Sequence, residues 1–282
     1  MTLNENDNKI TDRAWNRLYN RLEQDGLLID TIPEKVSVRP TIIKWSIAAA
    51  VVCICVISAF IIRGQRVVPN NMLTIQNEKD APTLVSTLED GSVIYLSEYT
   101  SVRYPYHFSK DKREVTLQGN AFFDISRNPD KPFIIDTKQM IIEVLGTSFN
   151  VMSKDDESFS LSVRHGEVKV TSKMDGKTVN VKDGETALFH SNDLQKIKTV
   201  DINQFKSYLK RVHFKDQRLA DVVKIINANS DSIRLKIVPE LEDRLLTVTF
   251  SDDTPYTMAQ LICLALNLQY TQQQNTIFIS QK

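Results

Sequence analysis

One apolar stretch, WSIAAAVVCICVISAFII, divides the chain; it runs from Trp45 to Ile62 and contains neither a charge nor a proline. A helix rises about 1.5 Å per residue, so this stretch and the preceding Thr41–Lys44 can cross a hydrocarbon core of about 30 Å. Lys44 can extend to the headgroups, with Trp45 in the interfacial belt beside it. The sequence therefore predicts a single-pass membrane protein with its transmembrane helix at residues 42–62.

Two other interpretations of this stretch fit less well. A buried helix of a soluble core normally shows a polar stripe. A cleaved signal peptide has a shorter apolar core and a small-x-small site, which Ser58-Ala59-Phe60 does not supply. The flanking charges do not orient the helix, because three basic residues lie on each side (Lys35, Arg39 and Lys44; Arg63, Arg66 and Lys79).

Composition excludes several classes of protein. Lys+Arg and Asp+Glu number 35 each, so no basic excess points to direct nucleic-acid binding and no acidic excess to a disordered tail. Cys53 and Cys55 lie inside the apolar stretch and Cys263 stands alone, so the part beyond the stretch cannot form an internal disulfide.

Before the apolar stretch, residues 1–41 contain one short amphipathic helix. Its apolar residues recur at helical spacing, Thr11 or Asn8 could cap its start, and Gly26 is placed to end it. A helix of about fifteen residues is marginal alone, so we expect its apolar face to dock on a partner protein. Binding to the membrane surface is the alternative. The predicted contact residues are Trp15, Leu18 and Leu22.

After a predicted linker at 63–80, residues 81–190 read as an all-β domain. Five glycines, Gly91, Gly119, Gly146, Gly166 and Gly184, follow strand-like runs and suit tight corners. The pattern predicts a solenoid-like coil or a sandwich. The predicted strands are Val93–Leu96, Glu114–Leu117, Ala121–Ile125, Phe133–Asp136, Ile141–Leu145, Phe149–Met152, Phe159–Val163, Val168–Thr171, Val179–Val181 and Thr186–Phe189.

The last part of the chain changes pattern. Residues 191–210 read as a connector, helical near its end, and residues 211–282 alternate strand and helix patterns. Their predicted order is β-α-β-β-α-β-β, a small α+β domain with helices packed on a sheet.

No motif of known chemistry appears. The histidines (His107, His165, His190 and His213) have no partner at a metal-ligand spacing, and no phosphate-binding loop or nucleophile elbow is present. Asp124 and Asp136 are the carboxylates that a glycoside hydrolase would need on opposed strands, but no motif places them. The sequence therefore predicts a protein that is not an enzyme and holds no cofactor or metal.

The β region resembles the FecR-like anti-sigma factors. The runs that carry the resemblance are LEDGSVIYLSEYTSVRYPYHF (Leu88–Phe108), REVTLQGNAFFDISRNPDKPFII (Arg113–Ile135), VLGTSFNV (Val144–Val151), VRHGEVKV (Val163–Val170) and KDGETALF (Lys182–Phe189). Residues from Arg211 resemble the secretin/TonB short N-terminal-type domain, and Ala14–Leu28 resembles an abbreviated cytoplasmic segment. The sequence departs from the family in that short segment, and in a family tryptophan replaced around Tyr208–Arg211.

The resemblance implies an orientation and two protein partners. The N-terminus would lie in the cytoplasm and bind an extracytoplasmic-function sigma factor, and the C-terminal domains would lie in the periplasm of an inner-membrane protein. There they would receive a signal from the N-terminal signalling domain of an outer-membrane TonB-dependent transducer, SusC-like or siderophore-importing. An edge strand could make that contact by β-augmentation. The candidate edges are Leu245–Phe250 and Thr276–Ser280, with contact residues Leu245, Val248, Phe250, Ile277 and Ile279.

The resemblance also implies a self-cleavage site, since some relatives are thought to break the bond equivalent to Gly146–Thr147. The threonine hydroxyl would attack the preceding carbonyl. The interpretation favoured here is structural, with Gly146 making a corner and Thr147 bonding backbone.

Two alternative functions stay open. The chain could be a structural envelope protein whose C-terminal domain binds a secretin or a cell-wall partner, with the N-terminal helix as an anchor. It could instead be a membrane-tethered β domain that binds or hydrolyses glycans.

Overall fold

The structure is a computed structural model that describes residues 5–26, 72–153, 158–201 and 204–282, with side chains from residue 12 onward. The chain divides into two compact units, Met1–Val68 and Pro69–Lys282. The predicted transmembrane stretch Trp45–Ile62 lies outside the described residues. Among the helices within them, none combines the length and the apolar character needed to cross a membrane.

The described part of the first unit is one helix, α1 (Glu5–Gln24). It begins before Asn8 and Thr11, so neither of these predicted caps starts it. Gly26 ends the helix as predicted: its φ is +65°, and its N–H donates to the carbonyl of Glu23.

The second unit is predominantly β. The strands are β1 (Met72–Gln76), β2 (Thr83–Thr87), β3 (Val93–Leu96), β4 (Ser101–Pro105), β5 (Arg113–Asp124), β6 (Phe133–Asp136), β7 (Met140–Val144), β8 (Ser148–Ser153), β9 (Ser158–His165), β10 (Glu167–Ser172), β11 (Thr178–Lys182), β12 (Glu185–His190), β13 (Asp193–Lys198), β14 (Arg211–Arg218), β15 (Arg234–Ile237), β16 (Leu245–Ser251), β17 (Leu268–Gln273) and β18 (Thr276–Gln281). The helices are α2 (Gln204–Ser207), α3 (Leu219–Ala228) and α4 (Pro255–Leu266), with a 3₁₀ turn at Pro239–Leu241.

Most strands form a sandwich of two sheets that share β5. The first sheet has the order β1-β4-β5-β6-β7-β10-β11. The second has the order β13-β12-β9-β8-β5-β3-β2-β14-β16. Of the two predicted all-β architectures, the structure has the sandwich.

β5 is one continuous strand where the sequence predicted two, and it passes from one sheet to the other. Its first half pairs with β4 and β6, and its second half, from Gly119, pairs with β8 and then β3. At the bend, Gly119 has a φ of +103°, and a Cβ there would lie 2.7 Å from Oγ1 of Thr100. The bend therefore requires glycine.

Three further corner glycines mark the same change of sheet. Gly146 separates β7 from β8, Gly166 separates β9 from β10, and Gly184 separates β11 from β12. In each pair one strand belongs to the first sheet and the other to the second. Gly91 differs, because it lies in the turn between β2 and β3 of the same sheet.

Four strands of the sandwich are absent from the sequence prediction: β1, β2, β4 and β13. β1 lies inside the predicted linker and pairs with β4, and β13 lies inside the predicted connector and pairs with β12. Both are mostly exposed, β13 burying only Leu194, so neither shows an apolar alternation.

Two hydrophobic cores lie on opposite faces of the second sheet. Residues of β5 with odd numbers, such as Val115 and Phe123, point between the sheets. Phe122 points the other way and joins Tyr95 of β3 in a second core that includes the buried faces of α3 and α4. The second sheet is thus buried on both faces where α3 and α4 cover it.

The C-terminal part has the predicted order of elements, and its first hairpin joins the sandwich. β14 pairs in parallel with β2 and antiparallel with β16, so this hairpin extends the second sheet of the sandwich. The remaining strands form a small sheet in the order β15-β18-β17. The predicted boundaries at 190 and 211 therefore fall within one compact unit.

The predicted connector packs into the core. Phe205 of α2 and the following Tyr208 contact Phe122, with ring centroids 5.8 and 6.0 Å away. The Tyr208 hydroxyl donates to Oδ1 of Asn150 at 2.7 Å. Tyr208 thus fills the junction between the sandwich and the C-terminal part.

Candidate functional site

The first candidate surface is the apolar face of α1. Trp15 and Leu18 are 64% and 49% exposed, and Leu22 is half-buried. Tyr19 is not among the predicted contact residues, yet it is 59% exposed and lies one turn after Trp15. Its spacing from Trp15, i to i+4, was the available signal. The four side chains form a continuous stripe of the kind that binds a groove in a partner.

The second candidate surface is the outer edge of β16, one of the two predicted edge strands. Within the described residues β16 pairs with β14 alone, so its other edge has unpaired backbone groups. Leu245 is 59% exposed, Val248 is half-buried, and Phe250 is buried in the second core. Of the predicted contact residues on this strand, Leu245 is the one whose side chain is available to a partner.

The prediction that β18 is an edge strand is wrong. β18 is the central strand of its sheet, paired in parallel with β15 and antiparallel with β17. Ile277 and Ile279 are fully buried in the second core. The sequence could not show this, because the pairing with β15 joins residues about 40 apart along the chain.

His213 is a titratable side chain of β14 that contacts the edge strand β16. Nδ1 of His213 in β14 is 2.9 Å from Oγ1 of Thr249 in β16. Burial, helped by the charge of Lys215, lowers the pKa of His213. The imidazole is therefore neutral near pH 7.

Gly146 and Thr147, the predicted self-cleavage pair, form a tightly packed corner. A Cβ on Gly146 would lie 2.4 Å from Cα of Arg127, so only glycine fits there. Thr147 is buried, and its hydroxyl donates to the carbonyl of Glu167 at 3.0 Å. This bond ties the corner after β7 to the start of β10.

The two carboxylates considered for glycoside hydrolysis each have a neighbouring partner. Asp124 accepts a hydrogen bond from Ser148, and Asp136 pairs with Lys173. Among the residues that the structure describes, no group of three or more metal-ligating side chains could hold an ion.

Comparison with known proteins identifies the β region. The family model described as FecR protein matches residues 81–169. These residues are a FecR domain. The match runs from the approach to β2 into β10, so it includes the corners at Gly119, Gly146 and Gly166. The predicted resemblance to FecR is thus confirmed for this part of the chain.

Two crystal structures of a candidate anti-sigma factor from Parabacteroides distasonis ATCC 8503 are similar to this chain. They show 24% and 25% sequence identity, and each superposes with a TM-score of 0.46. The matches cover 75% and 74% of this chain and 99% of each of those chains. A comparison with curated proteins found no match.

Among the described residues of the FecR domain, the most deeply buried charge is Arg113, at the start of β5. Its side chain is 1% exposed and pairs with Asp90 at 2.7 Å. It also donates to the carbonyls of Ser126 and Lys131 and lies over the ring of Phe133. These contacts join the β2–β3 turn to β5 and β6, so Arg113 has a structural role in the FecR domain.

Proposed function

We propose that this chain is a membrane-anchored anti-sigma regulator, with an extracytoplasmic-function sigma factor as its cytoplasmic partner. The FecR domain at residues 81–169 is the observation that carries the proposal. Trp45–Ile62 would span the inner membrane once, with the N-terminus in the cytoplasm and the FecR domain in the periplasm.

The stripe of α1 supports the cytoplasmic half of the proposal. Most of the stability of a helix in a protein comes from packing of its apolar face, and in α1 that face is exposed. Trp15 and Tyr19 are the residue types that most often dominate protein interfaces. The sigma factor would cover this stripe and so be held near the membrane.

The free edge of β16 supports the periplasmic half. An unpaired edge offers backbone donors and acceptors to an incoming strand, and exposed side chains such as Leu245 add specificity. The signalling domain of an outer-membrane TonB-dependent transducer would supply that strand.

Substitution of Trp15 by alanine tests the cytoplasmic half. We expect the variant to release its sigma factor, with affinity at least about tenfold weaker, since truncating an anchoring aromatic residue costs 2 kcal/mol or more. The control is Asn20→Ala, on the opposite side of the helix. Equal sigma-factor capture by both variants would overturn the proposed contact and favour the structural envelope protein.

Substitution of Leu245 by lysine tests the periplasmic half. A charge on the edge strand should hinder strand addition, as lysine does on natural edges. Transducer-dependent transcription should fall while sigma-factor binding is unchanged. An unchanged response would exclude the β16 edge as the receiving surface.

The proposed function is not enzymatic, and Gly146–Thr147 is assigned as a structural corner. Wild type and Thr147→Ala should therefore migrate as identical full-length bands in a denaturing gel. Two fragments from wild type and one band from the variant would establish self-cleavage instead.

A further inference from the structure

A long segment in the last part of the chain contains no charged residue. From Thr254 to Gln281 there is no Asp, Glu, Lys, Arg or His, although 25% of the whole chain is charged. This segment comprises α4, β17 and β18. Its buried side chains explain part of the pattern, but its exposed side chains lack charge as well.

The exposed face of α4 is uncharged and combines an aromatic, a polar and an apolar side chain. Tyr256, Gln260 and Leu264 follow one another at intervals of four residues, and Leu264 is 82% exposed. The hydroxyl of Tyr270 in β17 is 3.0 Å from that of Tyr256 and accepts a hydrogen bond from Gln260 at 3.0 Å. The helix and the strand therefore present one connected surface, which we call the neutral face. Depletion of charge and enrichment of tyrosine are typical of protein interfaces.

The neutral face ends at a free strand edge. β17 pairs with β18 alone among the described residues, and its residues Gln269, Thr271 and Gln273 are exposed. Lysine or arginine usually protects such edges from strand addition. Three other edge strands of this unit carry them, namely Lys182 in β11, Lys196 and Lys198 in β13, and Arg234 and Lys236 in β15, whereas the edge strands β1 and β16 do not. β17 has no such protection.

We propose that a second copy of this chain binds the neutral face, with β17 of the two copies pairing antiparallel about a two-fold axis. In a two-fold interface each residue meets the same patch of the other copy, so a charged patch would repel itself. A patch without charge avoids that repulsion. The pairing would join two three-stranded sheets into one of six strands and cover Leu264 and Tyr256.

The other uncharged edge of this part of the chain suits a different kind of partner. β16 is flanked by Arg244 on one side and by Asp252 and Asp253 on the other. Charges of both signs at its ends favour a partner with complementary charges. Self-association through β17 and transducer binding through β16 are therefore separate contacts, and the dimer does not depend on the proposed function.

A strand edge and one helix face bury less area than the roughly 1,600 Å² of a standard interface. We therefore expect a dimer that dissociates on dilution. The mass of the purified full-length chain, measured by sedimentation equilibrium over a range of concentrations, should rise from monomer to dimer.

The test variant is Thr271→Lys, which places like charges near one another across the paired strands. Opposed like charges destabilise strand pairs, so the dissociation constant should rise about tenfold or more. The control is Leu245→Lys, which adds the same charge at the β16 edge and should leave the dimer intact. Wild type that stays monomeric, or a Thr271→Lys variant that dimerises as wild type does, would overturn the proposal.

Cross-linking locates the contact independently. The variants Gln269→Cys, Thr271→Cys and Gln273→Cys, each in a chain with Cys53→Ser, Cys55→Ser and Cys263→Ala, should give dimers with a short bis-maleimide reagent. A cysteine at Thr247 in β16 should not. Cross-linking at Thr247 alone would place self-association at β16 and refute the assignment to β17.

Discussion

Gly119 shows how one residue sets the shape of the FecR domain. Its positive φ bends β5 between two sheets, and the Thr100 side chain closes the space that a Cβ would need. The Thr100 hydroxyl also donates to the carbonyl of Asn120 at 2.9 Å and accepts from its N–H at 3.0 Å. The corner is thus both sterically closed and fully hydrogen-bonded.

We predict that Gly119→Ala lowers the free energy of unfolding by about 2–4 kcal/mol, since backbone strain and overpacking each cost about 1–3 kcal/mol. The control is Gly176→Ala, at a φ of +73° with no atom within 4 Å of the added Cβ. Gly176→Ala introduces backbone strain without a steric clash, so its free energy of unfolding should fall by about 1 kcal/mol. Urea unfolding of the two variants measures the difference. Equal losses would mean that Thr100 moves aside freely.

We expect Glu89 to contribute to the loss of folding stability in acid. Burial tends to raise its pKa, but the N–H of Phe108 and the ring of His107 outweigh burial and lower the pKa below the ordinary value of a glutamate. A lowered pKa in the folded state contributes stability above the unfolded value, and that stability is lost as the pH falls through the folded value.

We therefore expect wild type to lose stability more steeply than Glu89→Gln as the pH falls below about 4.5. Glu89 is partly exposed, so the difference should be under about 1 kcal/mol. Thermal unfolding of both proteins across this pH range measures it. Parallel curves would mean that the two contacts do not favour the charged carboxylate.

Among the elements, those with strong periodicity were predictable from sequence and those stabilised by distant pairing were not. α3, α4 and strands such as β8 and β10 carry clear apolar patterns and were predicted. β1 and β13 show no alternation, because neither is covered on a whole face. The central position of β18 depends on its pairing with β15, which no local pattern reveals. The same limit applied to the candidate edge strands: β16, which carries Leu245, lies at an edge as predicted, and β18, which carries Ile277, does not.

Tyr208 holds the segment that follows β13 against the second core. Burial raises the pKa of Tyr208, whose ring packs on Phe122 and whose hydroxyl bonds Asn150. We expect Tyr208→Ala to cost about 3–5 kcal/mol, as for other large aromatic truncations in cores. Tyr208→Phe keeps the ring and should cost about 1–2 kcal/mol, for the unpaired Asn150 side chain. Chemical denaturation measures both, and equal losses would place the whole effect in the hydrogen bond.

For the whole molecule, the shared second sheet predicts cooperative unfolding of Pro69–Lys282. Phe122 and Tyr95 of the FecR domain lie in the same core as α3 and α4, so neither part retains its packing without the other. Calorimetry of the full chain should show one transition for this unit, with calorimetric and van't Hoff enthalpies in agreement. Val212→Asp, at the pairing of β14 with β2, should shift that transition without splitting it. Two separated transitions would contradict the shared core.

The parallel pairing of β2 with β14 also affects the order of assembly. β2 leaves the ribosome more than a hundred residues before the strand that completes its edge. Until residues 205–218 arrive, β2 has an open edge and Phe122 lacks its contacts with Phe205 and Tyr208. Growth of the nascent chain therefore gives folding catalysts and proteases a period in which to act on the FecR domain, and that period closes only when the final seventy or so residues have been made.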